Sequence, residues 1–183
     1  MTRRIQDKLA SIVDEIDRAG HANQTRLTVL KKWLEKPERL QRFALSLAVR
    51  AVSAAGAADD ADPCLLDLAR NLLDTWTLDA PAPDRVAAKI LLGRLKAFQD
   101  DHKRLQWGQV RRIHSTPLLL IEMGLEIFLY APTNRSEGYR LAVAYCEGYG
   151  TDLNGESRAR VLELLEIVDA IEIQEQSEPS LAA

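Results

Sequence analysis

Residues 117–130 impose the strongest constraint on what this chain can fold into. Pro117 is followed by Leu118, Leu119, Leu120, Ile121, Met123, Leu125, Ile127, Phe128 and Leu129. At helical spacing these cover most of the circumference, and a helix apolar nearly all round belongs in the middle of a domain. It is short of the roughly 20 apolar residues a bilayer-spanning helix needs. The rest of the chain must therefore wrap it.

The flanking sequence has the amphipathic period that such wrapping requires. Ile5, Leu9, Ile12, Val13 and Ile16 recur at helical spacing, and Gly20 reads as the stop. Leu27, Leu30 and Leu34 mark a second helix. Pro37 suits the first turn of a third, where its missing N–H costs least. Leu40, Phe43, Ala44, Leu47, Ala48 and Ala51 form the apolar face of that third helix. Asp62-Pro63 joins a side-chain cap to a proline at the first helical position, ahead of Leu65, Leu68, Ala69, Leu72 and Trp76. A fifth helix runs from about Asp84 to Arg104. Tyr139 to Cys146 reads as a modest helix. Asn154 can cap a last one, whose core face is Val161, Leu164, Leu165, Val168 and Ile171.

His21 to Gln24 and the glycine-bearing segment 147–155 read as loops. The sole strand candidate, a weak one, is Gln109 to Ile113, and no fixed-period repeat is present. The expected fold class is all-α: a single multi-helical domain of about seven helices, an irregular bundle over residues 1–176, followed by a disordered C-terminal tail over 177–183.

A composition of 46% apolar and 28% charged residues fits a soluble globular chain. Cys64 and Cys146 are isolated thiols without a disulfide framework, and Cys146 reads as a small core residue. Met1 to Ile16 carries charge in every turn and has no signal-peptide core. A reducing cytoplasm and no membrane are the expectation.

The net charge of −3 hides a segregation along the chain. Residues 26–50 and 84–115 each carry about +5, whereas 51–83 carry about −5 and 116–183 about −8. Such alternation either knits the fold together or leaves a basic face on an acidic protein.

The fifth helix makes that choice concrete. At about 100° per residue, Arg85, Lys89, Lys96 and Lys103 share one narrow stripe, with Ala87, Ile90, Leu91, Leu95 and Phe98 opposite. Trp107, Arg111, Arg112 and His114 follow at once. The segment from Phe98 to Pro117 gathers two histidines, a tryptophan, an acidic pair and two basic pairs, and is the place to look for a functional surface. Cations beside an aromatic suit a phosphate backbone with base stacking. They equally suit an acidic partner protein, a solvated surface, or the chain's own acidic last helix. Lys31, Lys32, Lys36, Arg39, Arg42 and Arg50 form a second basic region, read as ordinary surface charge.

Glu122 and Glu126, spaced i,i+4, share a face of the apolar helix and read as its outward side, with Arg135 or Arg140 as possible partners. Glu163 to Asp169 resembles, over seven residues, the Glu-x-x-Glu and Glu-x-x-Asp motifs of all-helical nucleotide pyrophosphatases. Those enzymes hold Mg²⁺ between two such motifs on separate helices, whereas here both fall on one helix. His102 and His114 lack zinc-ligand spacing. A nucleophile elbow, a phosphate-cradling glycine loop and a dinucleotide fingerprint are all absent.

The leading expectation is a non-enzymatic accessory or adaptor module, without cofactor or metal. It binds another macromolecule, a protein first of all, through the basic helical face of Arg85, Lys89, Lys96, Lys103, Trp107, Arg111, Arg112 and His114. The alternative is a small nucleic-acid-binding subunit that contacts phosphates through Arg85, Lys89, Lys96 and Lys103. A Mg²⁺-dependent nucleotide hydrolase, implied by the pyrophosphatase resemblance, is the weakest reading.

Overall fold

The computed structural model describes residues 4–55, 62–73, 76–79, 81–105, 117–130, 136–147 and 152–177. Eight α-helices occur among them: α1 (Ile5–Ala19), α2 (Val29–Trp33), α3 (Pro37–Ala55), α4 (Pro63–Leu73), α5 (Arg85–Leu105), α6 (Pro117–Tyr130), α7 (Glu137–Glu147) and α8 (Gly155–Ser177). The class is all-α, and the eight α-helices match the eight segments that helical spacing marks, one more than the expected total of about seven. The Leu27–Leu34 segment starts as a 3₁₀ turn, Gln24–Thr28, before α2. Ser177, expected at the start of the tail, still belongs to α8; residues 178–183 lie outside the described residues, as does the strand candidate at 109–113.

The helix ends follow local chemistry. Gly20 ends α1 in the left-handed region at φ 76°, with its N–H on the Ile16 carbonyl at 2.7 Å. The Asp62 carboxylate accepts from the Cys64 N–H at 2.8 Å, and the Asp84 carboxylate from the Val86 N–H at 2.9 Å. Asn154 Oδ1 accepts from the backbone N–H groups of Glu156 and Ser157 at 2.9 and 3.2 Å.

Periodicity misses one feature, a two-stranded antiparallel clip. β1 (His21–Asn23) pairs with β2 (Asp152–Asn154), Ala22 opposite Leu153. Ala22 and Leu153 are buried and their neighbours exposed. Three residues with a single apolar member are too few to register as alternation. The clip joins the end of α1 to the start of α8, so these helices run antiparallel and pack along their length.

The centre is the crossing of α3 and α6. Eight α6 residues are buried: Leu118, Leu120, Ile121, Gly124, Leu125, Ile127, Phe128 and Leu129. Leu119 and Met123 are only half-buried. The helix therefore does keep an outward strip, where Glu126 and Tyr130 are exposed. A Cβ on Gly124 would lie 2.8 Å from the Ala44 carbonyl oxygen and 2.9 Å from the Ala48 Cβ, so the two backbones meet there without an intervening side chain. α5 lies on a flank, packed on α4 and α6.

Gly124→Ala should destabilise the protein by about 1–3 kcal/mol through overpacking, although alanine is the better helix former by about 1 kcal/mol. Leu125→Ala, at a fully buried position, should cost about 2–5 kcal/mol. Urea unfolding of both variants checks these values; a stabilised Gly124→Ala variant would show that the helices do not meet at this glycine.

Candidate functional site

The arginines of the second basic region are committed to the fold. Arg39 donates from Nε and Nη2 to the two carboxylate oxygens of Glu175 on α8, at 2.7 and 2.6 Å. Its guanidinium also lies over the Trp33 ring, 5.1 Å from the centroid. Trp33 Nε1 donates to Glu172 at 2.9 Å, and Gln6 of α1 donates to the same carboxylate. Arg42 donates to Gln174 at 3.0 Å, and Arg50 to Glu166 at 2.8 Å, with Glu163 beside it at 3.9 Å. Lys36 stands 3.8 Å from Glu175. These contacts dock α3 on α8, so Lys36, Arg39, Arg42 and Arg50 are more than ordinary surface charge, whereas Lys32 stays exposed.

Arg39 holds the Glu175 carboxyl below its ordinary value of 4.5, by a direct hydrogen bond opposed by burial. Because the folded value lies below the unfolded one, the pair contributes fully above about pH 4.5. That contribution is lost as pH falls through the folded value. Glu175→Gln should cost about 1–2 kcal/mol at neutral pH and leave a shallower loss of stability below pH 4.5. Thermal melts of both proteins from pH 7 to 3 test it; parallel curves would remove this pair from the acid response.

The predicted stripe on α5 divides. Arg85 donates to the Leu129 carbonyl at the end of α6, 2.5 Å away, with its guanidinium over the Phe128 ring at 5.3 Å. Lys96 donates to Glu126 of α6 at 2.7 Å, a bond that raises its pKa. Two of the four cations therefore lean onto α6. The internal partner is the acidic side of α6, and not the acidic last helix, one of the alternatives for this stripe. Glu126, in turn, meets Lys96 and not Arg140, which pairs with Glu137 at 3.4 Å; Arg135 lies outside the described residues. Lys89 remains exposed without an ion pair among the described residues. α5 reaches Lys103, but its side chain lies outside what is described, as do Trp107, Arg111, Arg112 and His114 entirely.

The stripe lies beside the core face and not opposite it. α5 buries Ala88, Leu91, Leu92 and Leu95, and Ala88 and Leu92 rotate the buried direction toward the cations. Ile90, expected in the core, is 55% exposed, and Val86 is 66% exposed. Gly93 and Ala97 are exposed as well. Val86, Ile90, Gly93 and Ala97 are spaced four, three and four apart and form one outward apolar line. Lys89 flanks it on one side and Arg94 on the other, each about 70° from its centre at 3.6 residues per turn. Arg94 is likewise exposed and without an ion pair among the described residues. The four-three-four spacing is present in the sequence, but apolar residues surround more than half of α5, so periodicity alone does not say which of them face outward.

Other candidates are occupied or open. Glu163 accepts a hydrogen bond from the Tyr145 hydroxyl, and Glu166 is held by Arg50. Among the described residues no group of three or more His, Cys, Asp or Glu side chains is placed to hold a metal ion. Cys64 is an exposed free thiol, and Cys146 a buried one. An open cleft of about 450 Å³ lies along Met123, Glu126, Ile127, Tyr130, Glu137 and Arg140. No described helix is long and apolar enough to cross a membrane. Comparison with protein-family models, curated proteins and solved structures finds no match to this chain.

The Lys96–Glu126 bridge is about half exposed, 44% and 48% at the two side chains. Its coupling energy in a double-mutant cycle with Lys96→Met and Glu126→Gln should be small, about 0.2–1 kcal/mol. A coupling above about 2 kcal/mol, read by urea unfolding, would make α5 a rigidly fastened element and not a flank.

Proposed function

We propose that this chain is a protein-binding accessory module that acts through the outward face of α5. One observation carries the reading. Val86 and Ile90 are exposed at 66% and 55% on adjacent turns of a helix whose other side is buried. They stand beside Lys89 and Arg94, cations without acidic partners among the described residues.

Exposed apolar side chains in line gain by packing against apolar groups, which a partner protein supplies and a phosphate backbone does not. The cations that would track phosphates are reduced by the engagement of Arg85 and Lys96 with α6. This favours a protein over nucleic acid. A cytoplasmic setting suits the free thiol exposed at Cys64.

A photoactivatable benzoylphenylalanine in place of Ile90, irradiated in the native host, tests the reading. A protein adduct is expected, and it should disappear when Lys89→Glu and Arg94→Glu are combined with it. An adduct with nucleic acid, or no adduct, overturns it.

A further inference from the structure

We infer that the occupant of this face is an acidic amphipathic helix of the partner, laid along Val86, Ile90, Gly93 and Ala97 between Lys89 and Arg94. The inference rests on the protein-binding reading and specifies the chemistry of the partner. The four-three-four spacing is that of a helix-pairing seam. It runs straight for about 16 Å, three turns of helix. An extended strand would find no free backbone donors or acceptors on α5, because a helix satisfies its own. Another helix needs none.

Gly93 sits mid-seam, where an added Cβ would meet nothing within 4 Å. Having no side chain, it leaves a notch in the line between Ile90 and Ala97, open to a side chain of the partner. A central anchor seated in a notch, with charges at the rim, is the arrangement in which few residues supply most of the affinity.

The flanks decide which helix fits. Along the turns from Val86 to Gly93 the flanks are positive, Lys89 on one side and Arg94 on the other, and the exposed Asp100 follows on the Lys89 side only beyond Ala97. A second copy of the chain is disfavoured: in a parallel pair Lys89 would face Arg94 of the other copy, and in an antiparallel pair the Lys89 edges would face each other. A helix with glutamates or aspartates on both sides of its apolar line meets each cation with an opposite charge. Rim charges of this type select the partner and speed its arrival more than they tighten it.

Two synthetic helices of about 18 residues, alike in a leucine seam and different only in glutamate or lysine flanks, test the inference by fluorescence anisotropy with the full chain. The glutamate-flanked helix should bind at least about 10-fold more tightly, and combined Lys89→Glu and Arg94→Glu should reverse the preference. Gly93→Leu, which fills the notch at an exposed position, should weaken binding by about 10-fold or more without lowering the melting temperature. Equal binding of the two helices, unchanged binding by Gly93→Leu, or a concentration-dependent dimer abolished by Gly93→Leu each overturns the inference. A protein adduct at position 90 with no flank preference would leave the protein-binding reading standing and remove the acidic helix. Failure of both experiments removes both.

Discussion

The contact of α3 and α6 at Gly124 sets the geometry on which everything else rests. With the Ala44 carbonyl oxygen and the Ala48 Cβ within 3 Å of where a side chain would begin, the two central helices approach as closely as backbones allow. Close approach buries α6 on most sides and leaves α3 to shield it. It also fixes where the remaining helices can lie: α7 and α8 against α3, and α5 on the flank formed by α4 and α6. The apolar run thus demands a central position, and one glycine sets the distance of its main contact.

Charge then closes the outer layer. Arg39, Arg42 and Arg50 sit at spacings that carry them along one side of α3, and Glu175, Gln174 and Glu166 receive them along α8. At the other end of α8, Arg158 reaches Asp17 of α1 at 2.6 Å, beside the β1–β2 clip. The partly buried Arg39–Glu175 fork, stacked on Trp33, binds more firmly than the exposed Arg158–Asp17 pair, because solvent screens the latter. The contrast between the basic 26–50 segment and the acidic C-terminal helix is therefore a docking code within the fold. Lys89 and Arg94 on α5 are among the cations this docking leaves over.

Helix starts and stops were legible because they depend on near neighbours. Gly20, Pro37, Asp62-Pro63, Asp84 and Asn154 each act within one turn, and each stands where its chemistry places it. Side assignments along α5 were legible only in part. Its apolar residues surround more than half the helix, so the core direction depends on which neighbours press on it. Contact with α4 and α6 selects Ala88 and Leu92 over Ile90. The partners of Arg85 and Lys96 were not legible, since nothing in sequence distance ties position 96 to Glu126 and not to Glu163. The short clip escaped for the opposite reason: its pairing is long-range and its local signal is a single apolar residue per strand.

The outward line on α5 also stands out on local energetics. Glycine in an exposed helix interior costs about 1 kcal/mol relative to alanine, and valine and isoleucine together about another 1 kcal/mol. Elsewhere in this protein such residues are mostly repaid by burial: Gly124 lets two helices touch, and Ile12 and Val161 are inside the core, while Ile173 near the end of α8 is an exposed exception at 64%. At Val86, Ile90 and Gly93 no burial within the described chain offsets the loss. Lysine, glutamate or alanine at all three positions would strengthen α5 and increase its solubility. A segment that goes against its own helical propensity without gain in the folded monomer is the kind of local inconsistency that marks a surface shaped by something outside it. The cations on either side of the line indicate the charge which that something carries.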